Sequence, residues 1–500
     1  MTNQARRVVL IGYGMAGARL AEEVRRRDPH GERVALTVIG AETHAAYNRV
    51  LLSAVLAGQL KPDEITTQHP AWPEDHNVVL RRGVQATSID RERRLVELDD
   101  DTTLRYDELV LATGSVPWIP PVDGLATDGR MAGGVAAFRD LDDCARILSI
   151  ARAGTPVAVL GGGLLGLEAA RGLAGRGARV TVVHPVEHLM ERQLDGQGGA
   201  VLAATLAELG IEIRLNVLAK RWTPGHGLEL DDGCTLPVDA VVVSAGVRPE
   251  TGLALAAGLA VDKGIMVDER LTTSDRRIHA IGDCAQFPGT VAGLVQPSWD
   301  QAVVLADLLT GANPAARYRG TNAVTRLKAR GIDLATLGEV HTERDASGKD
   351  TAEVLRLEDA ARGRYAKLVL RGDKVTGAVM LGVPDAAATV IQLYDTGMPA
   401  PSDRLALLLG RALPSGAGPA DSPQHLPARA VVCRCNNVTK GALVTAWRAG
   451  ASSLAALTGA TRASTGCGSC ADVVAGIADW LATGESTGES TAESTAEEVA

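Results

Sequence analysis

Two stretches of this chain, "VVLIGYGMAG" near the start and "VAVLGGGLLG" further in, run a hydrophobic strand directly into G-x-G-x-x-G. No other feature restricts the fold as much. In such a turn the first glycine (Gly12, Gly161) allows the tight reversal. The second (Gly14, Gly163) lets backbone approach a pyrophosphate, and the third (Gly17, Gly166) lets the following helix pack closely on the strand. The helix N-terminus then offers amide donors and the positive end of its dipole to phosphate. One such motif alone is weak evidence, because any strand-to-helix turn can use glycines.

Here the context fits. The first motif is followed by the helical "ARLAEEVRRR" and the strand "RVALTVIG", with Glu42 just past it, where a ribose hydroxyl needs an acceptor. The second is followed by "LEAARGLAGRGARVTVVHP", which places Glu168 on the helix as a candidate nucleotide contact and ends the next strand at His184 rather than at an acid. An acid at that point binds the 2′-hydroxyl of NAD, whereas a 2′-phosphate prefers a cationic or neutral neighbour. His184 leaves NADH against NADPH open, with a lean to NADPH. The alternative is an exposed loop histidine that touches nothing.

The N-terminal "ARRVVLIGYGMAGARLAEE" also carries the arginines, apolar run and A-x-A-like site of an export signal. The second copy of the pattern lies mid-chain, where no leader could, which favours a buried strand from Val8 to Ile11. No other run is long enough to span a bilayer. The expected compartment is the cytoplasm, where the seven cysteines are free thiols or ligands rather than disulfides. Aromatic residues at 3% and a net charge of −9 argue against a nucleic-acid partner.

Three further segments extend the pattern. "YDELVLATGSVPWIPP" is a buried strand ending at Thr113-Gly114, where backbone meets cofactor, and "VDAVVVSAGVRPE" repeats that ending at Ala245-Gly246. "RRIHAIGDCAQF" closes on Gly282-Asp283, a carboxylate placed to accept from a polyol. Together the five motifs resemble the FAD- and NAD(P)-dependent pyridine nucleotide reductase family over most of residues 6 to 310. The resemblance implies an α/β protein with two Rossmann-like domains, one for FAD (residues 1–118 and 251–315) and one for NAD(P)H (119–250). It also implies that Asp283 binds the ribityl chain of FAD. A nicotinamide hydride needs an acceptor that takes two electrons and releases them singly, which FAD does.

Disulfide reductases of that family carry a cysteine pair under the flavin, but the matching "THAAYNRVLLSAVLAG" has no cysteine. Cys144, Cys234 and Cys284 stand alone and read as inert, so electrons must leave by another route. Tyr47, Arg49 and Ser53 resemble the flavin-facing segment of NAD(P)H-dependent nitrite reductase large subunits, which implies that Arg49 sets positive charge beside the reduced flavin. The alternative is a surface arginine that opens a helix. Relatives often have an acid immediately after the second strand, where this chain has Ala41; Glu42, one place on, takes that role.

From about Arg319 the pattern turns to short strands, including a hairpin with Gly372-Asp373 at its turn. Residues 318–408 read as a small α+β domain. A similar segment, with its Lys328-to-Asp333 run, follows the flavin domain in the nitrite reductase family, and a docking or dimer-contact role is expected. Residues 409–430, rich in Pro and Gly, read as a flexible linker. Then "VVCRCNN" and "GCGSC" place Cys433, Cys435, Cys467 and Cys470 at CxC and CxxC spacing, with two short helices between, Thr439 as an N-cap and Gly450 as a stop.

The block 431–483 resembles the domain of bacterioferritin-associated ferredoxin, which implies a [2Fe-2S] cluster on those four cysteines. A structural zinc site is the chemical alternative, but zinc gives flavin electrons no outlet, whereas an iron–sulfur centre does. Residues 484–500 repeat a glutamate every four residues and are expected to be a disordered acidic tail. The whole is similar to the flavoprotein half of nitrite reductase large subunits, or to a free-standing electron-transfer subunit of assimilatory nitrate reductase. That resemblance implies electron flow from NAD(P)H through FAD and the cluster to a separate molybdenum nitrate reductase or sirohaem nitrite reductase, with the linker letting the small domain swing. A ferredoxin or rubredoxin reductase, and a redox- or iron-sensing adaptor, are the other classes considered.

Overall fold

A computed structural model describes residues 5–343, 352–411, 426–428, 430–433, 436, 438–465 and 470–493. The chain divides into two units, residues 1–323 with 327–333, and residues 324–326 with 334–500.

In the first unit, β1 (Arg6–Ile11) leads through the glycine turn into α1 (Met15–Arg27) and on to β2 (Val34–Gly40). The sheet runs Ile278–Ala280, Glu108–Leu111, β1, β2, Val78–Arg82, and every pairing is parallel. A central parallel strand is covered on both faces and so reads as a continuous apolar run; Val8 to Ile11 are all buried. This strand accounts for the apolar run that imitates an export signal.

A second parallel sheet repeats the plan in the order Val135–Ala137, Ala240–Val243, β3 (Pro156–Leu160), β4 (Arg179–His184), Glu212–Leu215. Here α2 (Leu164–Gly175) connects β3 to β4. The two copies agree down to single contacts. A Cβ on Gly17 would stand 1.9 Å from the Gly12 carbonyl oxygen, and one on Gly166 would stand 2.0 Å from that of Gly161. Gly12 and Gly161 themselves have φ of +110° and +116°, a region that only glycine adopts freely.

The second unit holds an antiparallel sheet in the order Ile332–Gly338, Lys374–Leu381, Arg364–Arg371, Ala352–Asp359. The helix Pro384–Thr396 lies on it, burying Val390 and Leu393. Its central hairpin turns at Gly372-Asp373, with Gly372 at φ +59° as a two-residue turn requires. The C-terminal part pairs Val431–Cys433 with Val438–Thr439 and adds helices Lys440–Arg448, Leu454–Thr461 and Ala471–Glu493. The Thr439 hydroxyl caps the first of these by accepting from Ala442 N–H at 3.2 Å.

Most of the expected linker, residues 412–425 and 429, lies outside the described residues. The expected tail differs from the structure: the last helix continues from Thr483 through Glu493, and only 494–500 lie outside the description. Val474, Ile477 and Ala478 anchor that helix, and extending a formed helix costs far less than starting one. Among the described residues no helix is long and apolar enough to cross a membrane.

The glycine contacts separate packing from binding. Gly166→Ala is expected to cost about 2 to 4 kcal/mol, because a backbone carbonyl must move. Gly163→Ala, with nothing within 4 Å of its Cβ position, is expected to cost about 1 kcal/mol or less. Urea denaturation of the two variants checks this, and equal losses would refute the distinction.

Candidate functional site

The two glycine turns end in two open cradles. Gly14 and Gly163 are the N-caps of α1 and α2, at φ −80° in both cases, and neither helix has a side-chain cap. At Gly163 nothing approaches within 4 Å of the Cβ position, and at Gly14 only the Arg49 guanidinium does. The first helical amides therefore face open space, which fits an anionic pyrophosphate. Gly114 and Gly246, beyond the ends of neighbouring strands, have φ of +73° and +113° and equally clear surroundings. These tips fit the backbone of one dinucleotide in each cradle.

Around the first cradle the charged groups come in pairs. Tyr47 Oη donates to Glu42 Oε2 at 2.8 Å, and the Arg49 guanidinium pairs with Glu42 Oε1 while lying 5.0 Å over the Tyr47 ring. Arg49 thus stands between Glu42 and Gly14. The resemblance implies a place for Arg49 beside the flavin; in the structure its guanidinium pairs with Glu42 and comes within 3.7 Å of the Gly14 Cβ position. Glu42, one place past Ala41, is the carboxylate that these two side chains hold.

Asp283 follows Gly282 (φ +81°) and accepts from Ser115 Oγ at 3.0 Å and Arg139 Nη2 at 2.9 Å. Arg139 also donates to the Ser115 carbonyl and hydroxyl, and its own carbonyl accepts from Arg49. Sequence reasoning missed Arg139 and Ser115, because only the fold brings them to Asp283. Thr113 Oγ1 donates to the Glu250 carbonyl at 2.6 Å, which ties the Thr-Gly turn to the chain returning from the second sheet.

Around the second cradle, His184 is not an exposed loop residue: it is 5% exposed. Its Nδ1 accepts from Gly162 N–H at 3.1 Å, and its Nε2 lies 3.2 Å from Glu191 Oε2. Burial lowers its pKa and keeps the ring neutral, against the pull of Glu191. Glu168, expected among the nucleotide contacts, is buried, and its Oε1 accepts from Lys328 N–H at 3.0 Å. Burial raises its pKa, opposed by the Lys328 charge and N–H and by the Ser53 hydroxyl. Lys328 Nζ in turn donates to the Val50 carbonyl at 3.0 Å, so the tip 327–333 reaches the segment that leaves the first cradle.

Of the four candidate ligands, Cys433 and Cys470 are described and both are buried; Cys435 and Cys467 lie outside the described residues. A hydrogen bond from Cys470 pulls the Cys433 thiol down to about 6 against its burial. Asn436 Nδ2 lies 3.7 Å from Cys433 Sγ and donates to the Arg462 carbonyl and Thr465 Oγ1, tying one ligand loop to the approach of the other. Two buried sulfurs drawn from both ends of the domain, that of Cys433 acidified, fit a thiolate-held cluster. In contrast, burial pushes Cys144 up to about 12 and raises Cys284 as well.

Residues 6–304 match the family model described as pyridine nucleotide-disulphide oxidoreductase. Residues 431–480 match a BFD-like [2Fe-2S] binding domain, and 324–393 a rubredoxin NAD+ reductase C-terminal domain. The chain is 35% identical to a nitrite reductase [NAD(P)H] of Bacillus subtilis, covering 94% of this chain and 57% of that one. It is 32% identical to the assimilatory nitrate reductase electron transfer subunit of the same organism, covering 96% and 60%. The chain thus spans about three fifths of the length of these relatives. Among solved structures it is similar to a ferredoxin reductase from Rhodopseudomonas palustris, at TM-score 0.70 and 28% identity over 79% of this chain and 96% of that one.

The Glu168–Lys328 contact gives a signed pH test. The Lys328 ammonium acts on Glu168 only where the carboxyl is ionised, so that part of its contribution is present above the raised carboxyl pKa and fades as pH falls through it, whereas the backbone N–H contact and the Nζ bond to the Val50 carbonyl persist. Lys328→Met is expected to cost about 2 kcal/mol above the raised Glu168 pKa and less below it, where only the bond to the Val50 carbonyl is lost. Denaturant melts on either side of that pKa check it, and a cost that does not change with pH would show an un-ionised pair.

Proposed function

Because the chain belongs to the pyridine nucleotide-disulphide oxidoreductase family, we propose that it is the electron-transfer component of a nitrate or nitrite reductase system. It takes electrons from NAD(P)H and delivers them, by way of FAD and a [2Fe-2S] centre, to a separate reductase. When bound, FAD and the cluster convert a two-electron hydride donor into a source of single electrons.

The chain's residues serve that exchange by holding and orienting. In the first cradle Gly12, Gly14 and Gly17 shape the seat for the FAD pyrophosphate, with Glu42 on the ribose and Arg49 beside the phosphates. Thr113 and Gly114 line the middle of the cofactor, and Asp283, braced by Arg139, accepts from the ribityl hydroxyls. In the second, Gly161, Gly163 and Gly166 seat NAD(P)H, and Gly246 gives it an open strand tip. Glu168 braces the junction between the two cradles rather than touching nucleotide. Cys433, Cys435, Cys467 and Cys470 hold the cluster, with the Asn436 amide directed at one sulfur.

One observation carries the reading. Cys433 and Cys470 come together in a buried pair, while the segment from Thr43 to Gly58, where a disulfide reductase keeps its reactive thiols, contains no cysteine. A nitrate or nitrite reductase as the acceptor is supported by the names of the two Bacillus relatives. A small redox protein as acceptor is the second reading, favoured by the rubredoxin reductase-type match at 324–393. The cysteine domain weighs against it, since a reductase that hands electrons directly from flavin needs no further centre.

Anaerobic NADH or NADPH is expected to bleach the flavin of the purified protein and to produce a rhombic two-iron EPR signal. Cys433→Ser with Cys470→Ser should abolish that signal and electron delivery to the partner reductase, while ferricyanide reduction stays within about twofold. Zinc in place of iron, or partner turnover that survives the double substitution, would overturn the path through the cluster.

A further inference from the structure

The second cradle must distinguish NADH from NADPH, and its strand end does not do so alone. Rossmann units discriminate at the tip of the strand after the glycine turn. Here that strand is β4, and its last residue turns inward. Gly162 N–H donates to His184 Nδ1 at 3.1 Å, so the ring proton resides on Nε2 and is directed at Glu191 Oε2, 3.2 Å away.

The chain between His184 and Glu191 is closed onto the same glycine turn. Met190 N–H donates to the Gly162 carbonyl at 3.0 Å, and Gly162 is the residue between the first two glycines of the motif. Met190 takes φ +51° to do so, a left-handed conformation that a side chain of this kind rarely adopts without being held there. A Cβ on Gly162 would collide with Leu189 at 2.6 Å and His184 at 2.9 Å, so the segment sits against the turn without slack. The bend delivers Glu191 to the strand tip, with its side chain 39% exposed and open to a ligand.

We propose that Glu191 is the ribose acceptor of this cradle and that it makes the protein select NADH over NADPH. This rests on reading the second cradle as the nicotinamide nucleotide site. The carboxylate accepts from a free 2′-hydroxyl and repels a 2′-phosphate. His184, neutral and committed to Gly162 and Glu191, orients the carboxylate and brings no positive charge to offset that repulsion. The lean to NADPH drawn from His184 alone is thereby reversed: the missing acid is supplied from seven residues further along the chain. Arg192, next in sequence, is the cation that would serve a 2′-phosphate if the selection ran the other way.

The test is steady-state ferricyanide reduction by the flavin-loaded full chain, with NADH and NADPH compared for wild type, Glu191→Gln and Glu191→Arg. Wild type is expected to favour NADH in kcat/KM by about tenfold or more, the scale of one charge-assisted hydrogen bond gained or lost. Glu191→Gln should shrink that ratio at least about threefold, with the loss falling on the KM for NADH, and Glu191→Arg should turn preference toward NADPH. Flavin absorbance and melting temperature should match wild type in both variants, since Glu191 is partly exposed. Equal use of both nucleotides, a wild-type preference for NADPH, or a ratio unmoved by Glu191→Gln would overturn the assignment and leave the proposed function standing. Reduction by neither nucleotide would overturn the proposed function and this assignment with it.

Discussion

A glycine α-carbon laid against a carbonyl oxygen is the contact on which the first unit depends. Gly17 sits on the Gly12 carbonyl and Gly166 on the Gly161 carbonyl so closely that a Cβ would fall about 2 Å from oxygen in each. That seat brings each helix down onto its strand, and its first amides arrive at the open edge of the sheet. Gly14 and Gly163, one turn earlier, have almost nothing near them. Three glycines in one motif therefore do different work: two make the geometry, and one leaves room for what the geometry binds.

The carboxylates near these cradles are paired within the chain. Glu42 is braced by Tyr47 and Arg49, Asp283 by Arg139 and Ser115, and Glu191 by His184. A half-buried carboxylate is costly unless it is paired, and each pairing also fixes the direction of an oxygen. Positioned acceptors lose less freedom when a ligand binds. The two helix N-termini carry no side-chain cap, which leaves their amides free to donate to an anionic group.

The cysteines show how surroundings rather than residue type decide chemistry. Cys144 and Cys284 are enclosed by apolar packing, and desolvation holds both as thiols. Cys433 is also buried, yet the hydrogen bonds of Cys470 and Asn436 more than offset that burial and draw its thiol down to about 6. An acidified thiol beside a second buried sulfur suits metal ligation, whereas two enclosed thiols with raised pKa are core.

Much of this protein was legible from its residues, because the features involved are local. A strand run into G-x-G-x-x-G must turn and seat a helix wherever it lies, so both cradles, the strand tips at Gly114 and Gly246 and the hairpin at Gly372-Asp373 follow from short-range sterics. The cysteine spacing and the Thr439 cap belong to the same class. What the residues could not disclose was partnership across distance. Arg139 reaches Asp283 over 144 positions and Lys328 reaches Glu168 over 160, separations at which no spacing pattern survives. Arg49 pairs with Glu42, and His184 turns inward to Gly162 and Glu191, because side chains settle where packing and charge pairing are jointly satisfied. The backbone motifs were set by local sterics alone, whereas the identity of each charge's partner was decided only when the two sheets folded.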